Sequence, residues 1–259
     1  MGRDLYVGID LAIAKNKRLP VCVAENKLGR FDVLPLRKEI DPSLFPKGSG
    51  NRAFLSKSVR GQFVEATIRL FVEIEAKFSG RIRVIAIDAP RAPANNSDGR
   101  ECERELNRRN WSCFSTPTAS KFCQIIKSCD DYLAKGGSEQ CLPYANLIWM
   151  LAGFDLFEAL SVHWTTIEVF PNATLRALSG NLRKKNDSAG LDHNVAEFAN
   201  AAEIDAKWIQ LCLNDLRFGP RHDRFDALLS AWVASLPEVQ RQPLGSGQEA
   251  IWLPKLHRN

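Results

Sequence analysis

Two short apolar runs, each ending in an aspartate, constrain the fold of this chain most. The first covers residues 5–10 and ends at Asp10, and the second covers residues 82–88 and ends at Asp88. Apolar runs of this length predict strands that are buried on both faces of a sheet. If the two strands are parallel neighbours, the aspartates leave the sheet side by side, in the crevice where open α/β sheets usually bind ligands. The pair is therefore a candidate functional site.

A predicted helix that begins near residue 221 supplies two more acids. Asp223 and Asp226 are three positions apart, so their side chains share one face of the helix. Small residues continue this face and bulky apolar residues occupy the opposite one, which predicts a helix buried between the sheet and a second layer. Two carboxylates on a buried helix need a compensating partner, because burying an unpaired charge is costly.

The order of the predicted elements favours a mixed sheet. After the first strand, residues 19–24 and 30–36 are strand-like and can form an antiparallel meander with it. An amphipathic helix then leads into the second aspartate-ended strand. Residues 164–171 form a further strand that carries another acid near its end, Glu168, and stops at a proline.

We predict one α/β core that is interrupted by an insertion. Its parts are the first part of the core at 1–90, a helical insertion at 91–163, and the second part of the core, with the acidic helix and a C-terminal tail, at 164–259. Within the insertion, residues 143–160 predict an apolar helix. Near the carboxyl end, residues 237–249 predict a flexible stretch and residues 251–254 an edge element.

Composition limits the function classes. With 259 residues, 45% of them hydrophobic, the chain can bury a large core. The longest apolar stretch, at 144–154, is too short to span a bilayer, and the first residues lack the apolar core of a signal peptide, so we expect a cytoplasmic protein with no membrane partner. Seven cysteines without a Cys-x-x-Cys pair favour reduced, mostly buried thiols over disulfides or a zinc site.

Basic charge is concentrated near the amino terminus. Residues 1–60 contain 12 Lys and Arg against 6 Asp and Glu, whereas the remainder contains 23 against 24. Both a solvated surface and a footprint for a phosphate backbone fit this distribution.

Five motifs together resemble a known family. In chain order they are Gly8-Ile9-Asp10, Ile87-Asp88-Ala89-Pro90, Arg100 with Cys102-Glu103-Arg104, Ile167-Glu168-Val169-Phe170-Pro171 and His222-Asp223-x-x-Asp226-Ala227. The set is similar to the family catalogued as domain of unknown function 429, whose members are described as predicted RNase H-like nucleases. The resemblance implies an RNase H-like α/β fold, in which a three-strand meander plus parallel strands make a mixed sheet flanked by helices. It also implies that the acids on the first strand, the fourth strand and the last helix are metal ligands, namely Asp10, Asp88, Asp223 and Asp226.

A cluster of carboxylates in such a fold suits the binding of metal ions. They would repel one another unless a hard cation held them, and all-oxygen ligation suits Mg²⁺ or Mn²⁺. Two such ions can activate water and stabilise both oxygens of an in-line phosphodiester displacement. We therefore expect an enzyme, a metal-dependent nuclease acting on DNA or RNA, in which Asp10 bridges the ions and Glu168 orients a ligand or a metal-bound water.

Five further residues are candidates for contacts with the ligands or with phosphate. They are His222, Glu103, Arg104, Lys184 and Lys185. The basic residues among them would neutralise phosphate charge. For His222, which lies four residues before Asp226, a hydrogen-bonded structural role is favoured over metal ligation or proton transfer.

Two other function classes remain open at this point. A non-catalytic nucleic-acid-binding protein of the same fold would account for the basic amino-terminal region, although clustered acids without metals would repel its ligand. An actin-like or sugar-kinase-type phosphotransferase fits less well, because Leu11-Ala12-Ile13 follows Asp10 where a glycine-rich phosphate loop would be needed.

Overall fold

A computed structural model describes residues 2–27, 29–185 and 187–255. Residues 256–259 of the predicted C-terminal tail lie outside the described residues. In the described part the strands are β1 (Arg3–Asp10), β2 (Val21–Lys27), β3 (Arg30–Val33), β4 (Gly80–Asp88), β5 (Thr165–Glu168), β6 (Arg241–Leu244) and β7 (Ile251–Pro254). The α-helices are α1 (Leu36–Glu39), α2 (Asn51–Phe54), α3 (Lys57–Phe78), α4 (Glu101–Arg108), α5 (Ala119–Ala134), α6 (Ile148–Leu160), α7 (Pro171–Leu178), α8 (Ser188–Ala201), α9 (Ala206–Asp215) and α10 (Arg221–Ser235).

The strands form a single mixed sheet in the order β3-β2-β1-β4-β5-β7-β6. β1, β2 and β3 make an antiparallel meander, while β4 pairs in parallel with β1 and with β5. The predicted α/β class is confirmed, with a three-strand meander plus parallel strands and helices on both faces. No helix in the described ranges is long and apolar enough to cross a membrane.

Successive side chains of β1 point alternately into two helical layers. Val7 and Ile9 are fully buried in the cluster formed with α3 and α6. Because successive side chains on a strand point to opposite faces, Gly8 and Asp10 face the other layer, where α10 packs across β1, β2 and β4. Helices α7, α8 and α9 cover the outer side of α10, so the acidic helix is buried between two layers, as its sequence predicts.

The close contact between α10 and β1 depends on Gly8. A Cβ at this position would lie 2.1 Å from the carbonyl oxygen of Ala227 and 2.2 Å from the backbone nitrogen of Ala231. Both distances are far below van der Waals contact, so a side chain at Gly8 is excluded. The small residues on α10 therefore pack directly against the backbone of β1 at Gly8. This close contact places the first turns of α10 next to the end of β1.

Helices α4, α5 and α6 lie within the predicted insertion. α6 packs against α3, so the insertion shares the apolar core on that face. The helix predicted for 143–160 begins only at Ile148, because Tyr144 adopts a left-handed conformation with φ of 56° and a 3-10 turn, Ala145–Leu147, follows it.

Two predictions near the carboxyl end are wrong. Residues Arg241–Leu244, inside the predicted flexible stretch at 237–249, form β6, and β7 lies between β5 and β6 and is not at the edge. The sequence Arg-Gln-Pro-Leu lacks β-branched residues and includes Pro243, so its pattern does not indicate a strand. An edge strand tolerates proline because it need not donate on its outer side.

The strand predicted for 164–171 is shorter than expected. β5 covers Thr165–Glu168, and Pro171 occupies the first position of α7. Proline suits that position because the first backbone N–H groups of a helix have no intrahelical acceptor.

Candidate functional site

Asp10 and Asp88 lie side by side at the ends of parallel strands. They are direct register partners in the β1–β4 pairing, which confirms the placement expected from the sequence. Both side chains are partly buried and point toward α10. The strand ends therefore present two carboxylates to the first turns of the acidic helix.

The other two aspartates complete a cluster of four, hereafter the carboxylate cluster (Asp10, Asp88, Asp223 and Asp226). Burial raises the pKa of Asp10 well above its usual range, and the charges of Asp226, Asp88 and Asp223 raise it further. Burial and the charge of Asp226 raise the pKa of Asp88 to about 8. Asp10 therefore lies within electrostatic range of all three other aspartates.

Lys185 inserts its ammonium into the carboxylate cluster. Its Nζ donates to both carboxylate oxygens of Asp226, at 2.8 and 2.6 Å. Burial by itself would lower the pKa of Lys185, but the charges of Asp226, Asp88 and Asp10 outweigh it and raise the pKa. The same ammonium lowers the pKa of Asp10 and of Asp88. Lys185 thus partly compensates the charges of Asp226, Asp10 and Asp88.

The donor atoms of the cluster suit a hard divalent cation. Four carboxylates provide oxygen ligands of the kind that Mg²⁺ and Mn²⁺ prefer, and the raised pKa values of Asp10, Asp88 and Asp226 indicate that their surroundings do not fully neutralise them. Across residues 2–27, 29–185 and 187–255, no three or more His, Cys, Asp or Glu side chains are arranged to hold an ion as they stand. The oxygen ligands of the cluster are nevertheless of the type that a divalent ion needs. In this structure, however, Lys185 occupies both carboxylate oxygens of Asp226.

Glu168 lies near the cluster but binds other partners. It pairs with Ile87 in the β4–β5 register, so its side chain points to the opposite face of the sheet from Asp88. Its two oxygens accept from the guanidinium of Arg100, at 2.9 Å for Oε2 and at a shorter distance for Oε1, and Oε2 also accepts from the backbone N–H of Arg91 at 2.8 Å. Burial raises the pKa of Glu168 to about 7 against the opposing effect of Arg100.

The remaining candidates occupy three different places. Glu103 is buried and accepts from the backbone N–H and hydroxyl of Thr116, and Arg104 donates to the carbonyl oxygen of Gly99 at 2.5 Å. His222 lies 3.0 Å from Asp223, measured from Nε2 to Oδ1, at the rim of the cluster. Lys184 is exposed next to Lys185. Of this set, His222 and Lys185 contact members of the carboxylate cluster.

Two residues that shape this region belong to the motifs named above but are not among the candidate site residues. Arg100 is 1% exposed and holds Glu168 with two nitrogens, and Gly8 permits the approach of α10. Each has a sequence signal, because Arg100 lies three residues before Glu103 at the start of a helix, and a glycine inside a buried strand often marks the close approach of another backbone.

Comparison with known proteins adds a family. The family model described as "Protein of unknown function (DUF429)" matches residues 8–239. This range includes all four aspartates of the cluster, Lys185, and the Arg100–Glu168 pair. No curated protein and no solved structure matches the chain.

Proposed function

Because this chain belongs to the family described as Protein of unknown function (DUF429), a description that assigns no activity, we propose its function from the carboxylate cluster. The proposal is a metal-dependent nuclease of RNase H-like fold that hydrolyses phosphodiester bonds of DNA or RNA. The observation that carries it is the convergence of Asp10, Asp88 and Asp226, with Asp223 beside them, from two adjacent strands and one buried helix. Burying four acids close together costs free energy, and folding alone does not require such an arrangement.

Asp10 has the central position in the proposed site. Its pKa is raised by all three of the other aspartates, whereas the pKa of Asp88 is raised by Asp226 among them. Asp10 would therefore hold an ion together with the acids of β4 and α10. When bound, a pair of Mg²⁺ or Mn²⁺ ions would supply an activated water and stabilise the attacking and leaving oxygens.

Asp88, Asp226 and Asp223 would supply the other ligands in this proposal. Asp88 approaches from β4, and the other two approach from the first two turns of α10. Moving α10 away from β1 would open a gap at Gly8, where the two backbones are in close contact. The fold therefore fixes the spacing between the strand acids and the helix acids.

Glu168 acts as a positioning residue in this proposal. Its bond to the N–H of Arg91 fixes the turn that follows Asp88, and its paired oxygens tie that turn to Arg100 at the start of α4. Ligand orientation through such outer contacts is common in metal sites. Glu168 thus supports the site through the backbone after Asp88.

The proposed substrate is nucleic acid, and the proposed location is the cytoplasm. The excess of basic residues among positions 1–60 supports contact with a phosphate backbone, since such contacts supply most non-specific affinity. All seven cysteines are free, four of them buried, as suits a reducing compartment.

The test is a cleavage assay on labelled single-stranded and duplex DNA and RNA. We expect cleavage with Mg²⁺ or Mn²⁺, no cleavage in excess EDTA, and a loss of about 100-fold or more in the Asp10→Asn variant, because an essential ligand is removed. Asp130→Asn, which changes an exposed aspartate on α5, serves as the matched control. Cleavage that persists in EDTA, or an Asp10→Asn variant as active as Asp130→Asn, refutes the proposal.

A non-catalytic nucleic-acid-binding protein remains the second candidate. The observation that favours it is the ion pair between Lys185 and Asp226, which neutralises part of the cluster without a metal. That function predicts salt-dependent binding of nucleic acid with no cleavage in either metal, in the same assay.

A further inference from the structure

Lys185 projects from a segment whose backbone is held firmly by α8. The side-chain amide of Asn194, which is 1% exposed, accepts from the N–H of Arg183 and donates to its carbonyl oxygen, both at 2.9 Å. The carbonyl of Lys184 packs so closely on α8 that a Cβ at Gly190 would lie 2.2 Å from its oxygen. The residues just before Lys185 therefore have a fixed backbone, and the ammonium is carried by a flexible four-carbon side chain.

The contact of Lys185 with Asp226 uses both carboxylate oxygens. With Nζ at 2.8 and 2.6 Å, these oxygens hold the ammonium at distances of strong charge-assisted hydrogen bonds. The side chain of Asp226 is only 10% exposed and that of Lys185 is 24% exposed. A divalent ion that used Asp226 as a ligand would need oxygens that the ammonium now holds, and two cations in direct contact with one buried carboxylate repel each other strongly.

We propose that Lys185 is a built-in counter-cation of the carboxylate cluster, which a divalent metal ion must displace from Asp226 in order to bind. The inference rests on the proposed metal-dependent function and adds a residue that competes with the ion. The side chain moves on its long stem while the anchored backbone of the segment stays in place. Lys185 thereby stabilises the metal-free protein and lowers its affinity for divalent ions.

The first test measures the reactivity of the lysine itself in the wild-type protein. Brief acetylation with acetic anhydride, read by mass spectrometry for each lysine, compares Lys185 with Lys184, which is exposed. In EDTA we expect slow modification of Lys185 relative to Lys184. In saturating Mn²⁺ we expect the rate at Lys185 to rise about tenfold while Lys184 is unchanged, because freeing an ammonium from an ion pair worth about 1.4 kcal/mol corresponds to that factor.

The second test measures Mn²⁺ affinity by calorimetry in a series of variants. Lys185→Met should bind Mn²⁺ about tenfold more tightly than the wild type, because the competing charge is gone. Lys184→Met removes the same charge from the neighbouring exposed position and should change the affinity little, since exposed charges are screened. Lys185→Arg keeps a cation that can bind both oxygens of a carboxylate, so it should bind Mn²⁺ no more tightly than the wild type.

These measurements separate the two proposals. If the wild type binds Mn²⁺ but the acetylation rate of Lys185 does not rise, or Lys185→Met binds Mn²⁺ no more tightly than Lys184→Met, only the displacement of Lys185 is refuted. If neither the wild type nor Lys185→Met binds Mn²⁺, both the displacement and the metal-dependent function are refuted. Should Lys185→Met fail to fold, the acetylation rates and the Lys185→Arg affinity still decide the question.

Discussion

Replacing Asp88 with asparagine should stabilise the metal-free protein at neutral and alkaline pH. The pKa of Asp88 rises from 3.8 to about 8 in the folded protein, first through burial and then through the charge of Asp226. At about 1.4 kcal/mol per pKa unit, ionising this carboxyl in the folded state costs up to about 5–6 kcal/mol. Among the described residues its side chain makes no hydrogen bond within the protein that an amide would lose.

The sign of the effect follows from proton binding. Below pH 4 the carboxyl is protonated in both the folded and the unfolded chain, so it has no effect on the pH dependence. Between pH 4 and 8 the unfolded chain has lost the proton and the folded chain retains it, so the free energy of unfolding falls as pH rises. Above pH 8 the full penalty is present. The Asp88→Asn variant lacks this contribution, and its advantage should grow across the interval.

The measured gain should be smaller than the full cost. The acids titrate as a coupled group, and the charge of Asp88 raises the pKa of Asp10. The wild type therefore relieves part of the repulsion by keeping Asp10 protonated, and we expect a gain of about 2 kcal/mol at pH 8. The assay is denaturant unfolding in EDTA at intervals from pH 5 to 8.5, with Asp130→Asn as the control for an exposed site. A variant that is less stable than the wild type at pH 8, or a difference that does not change with pH, refutes this reasoning and makes Asp88 a structural residue.

Two further substitutions test the scaffold around the site by thermal and denaturant unfolding. Gly8→Ala should destabilise the protein by about 3 kcal/mol or more, because the new methyl group collides with the α10 backbone. Gly61→Ala, inside α3 with open space around it, should be neutral or stabilising by up to about 1 kcal/mol, and equal losses in both variants contradict the close-contact argument. Arg100→Met should cost about 3–5 kcal/mol, because it leaves Glu168 buried and unpaired. Adding Glu168→Met should recover part of this loss, and no recovery means that packing, not the buried charge, sets the cost.

Several features of the fold could be predicted from local patterns. The apolar runs that end at Asp10 and Asp88 identify two buried strands, and the structure pairs these strands in parallel with Asp10 opposite Asp88. The spacing of Asp223 and Asp226 identifies the helix face that carries the acids. These predictions succeed because strand and helix periodicity are set by neighbouring residues in the chain.

Other features could not be predicted because they depend on partners distant in sequence. Glu168 has the same strand-end position as the two aspartates, yet its pairing with Ile87 turns it to the opposite face, toward Arg100. Strand β6 is stabilised by its pairing with β7 in spite of its weak pattern. In both cases the outcome is set by neighbouring strands, and a local pattern carries no information about them.

The sequence by itself determined the α/β class, the meander, the buried acidic helix and the four aspartates of the cluster, because each follows from a periodicity or from a residue type at a strand end. Only the tertiary structure decided that Lys185 reaches Asp226 from 41 residues away and that Glu168 is neutralised by Arg100 from 68 residues away. The physical reason is that charge compensation acts through space between groups that folding brings together, so no spacing along the chain specifies which cation meets which carboxylate.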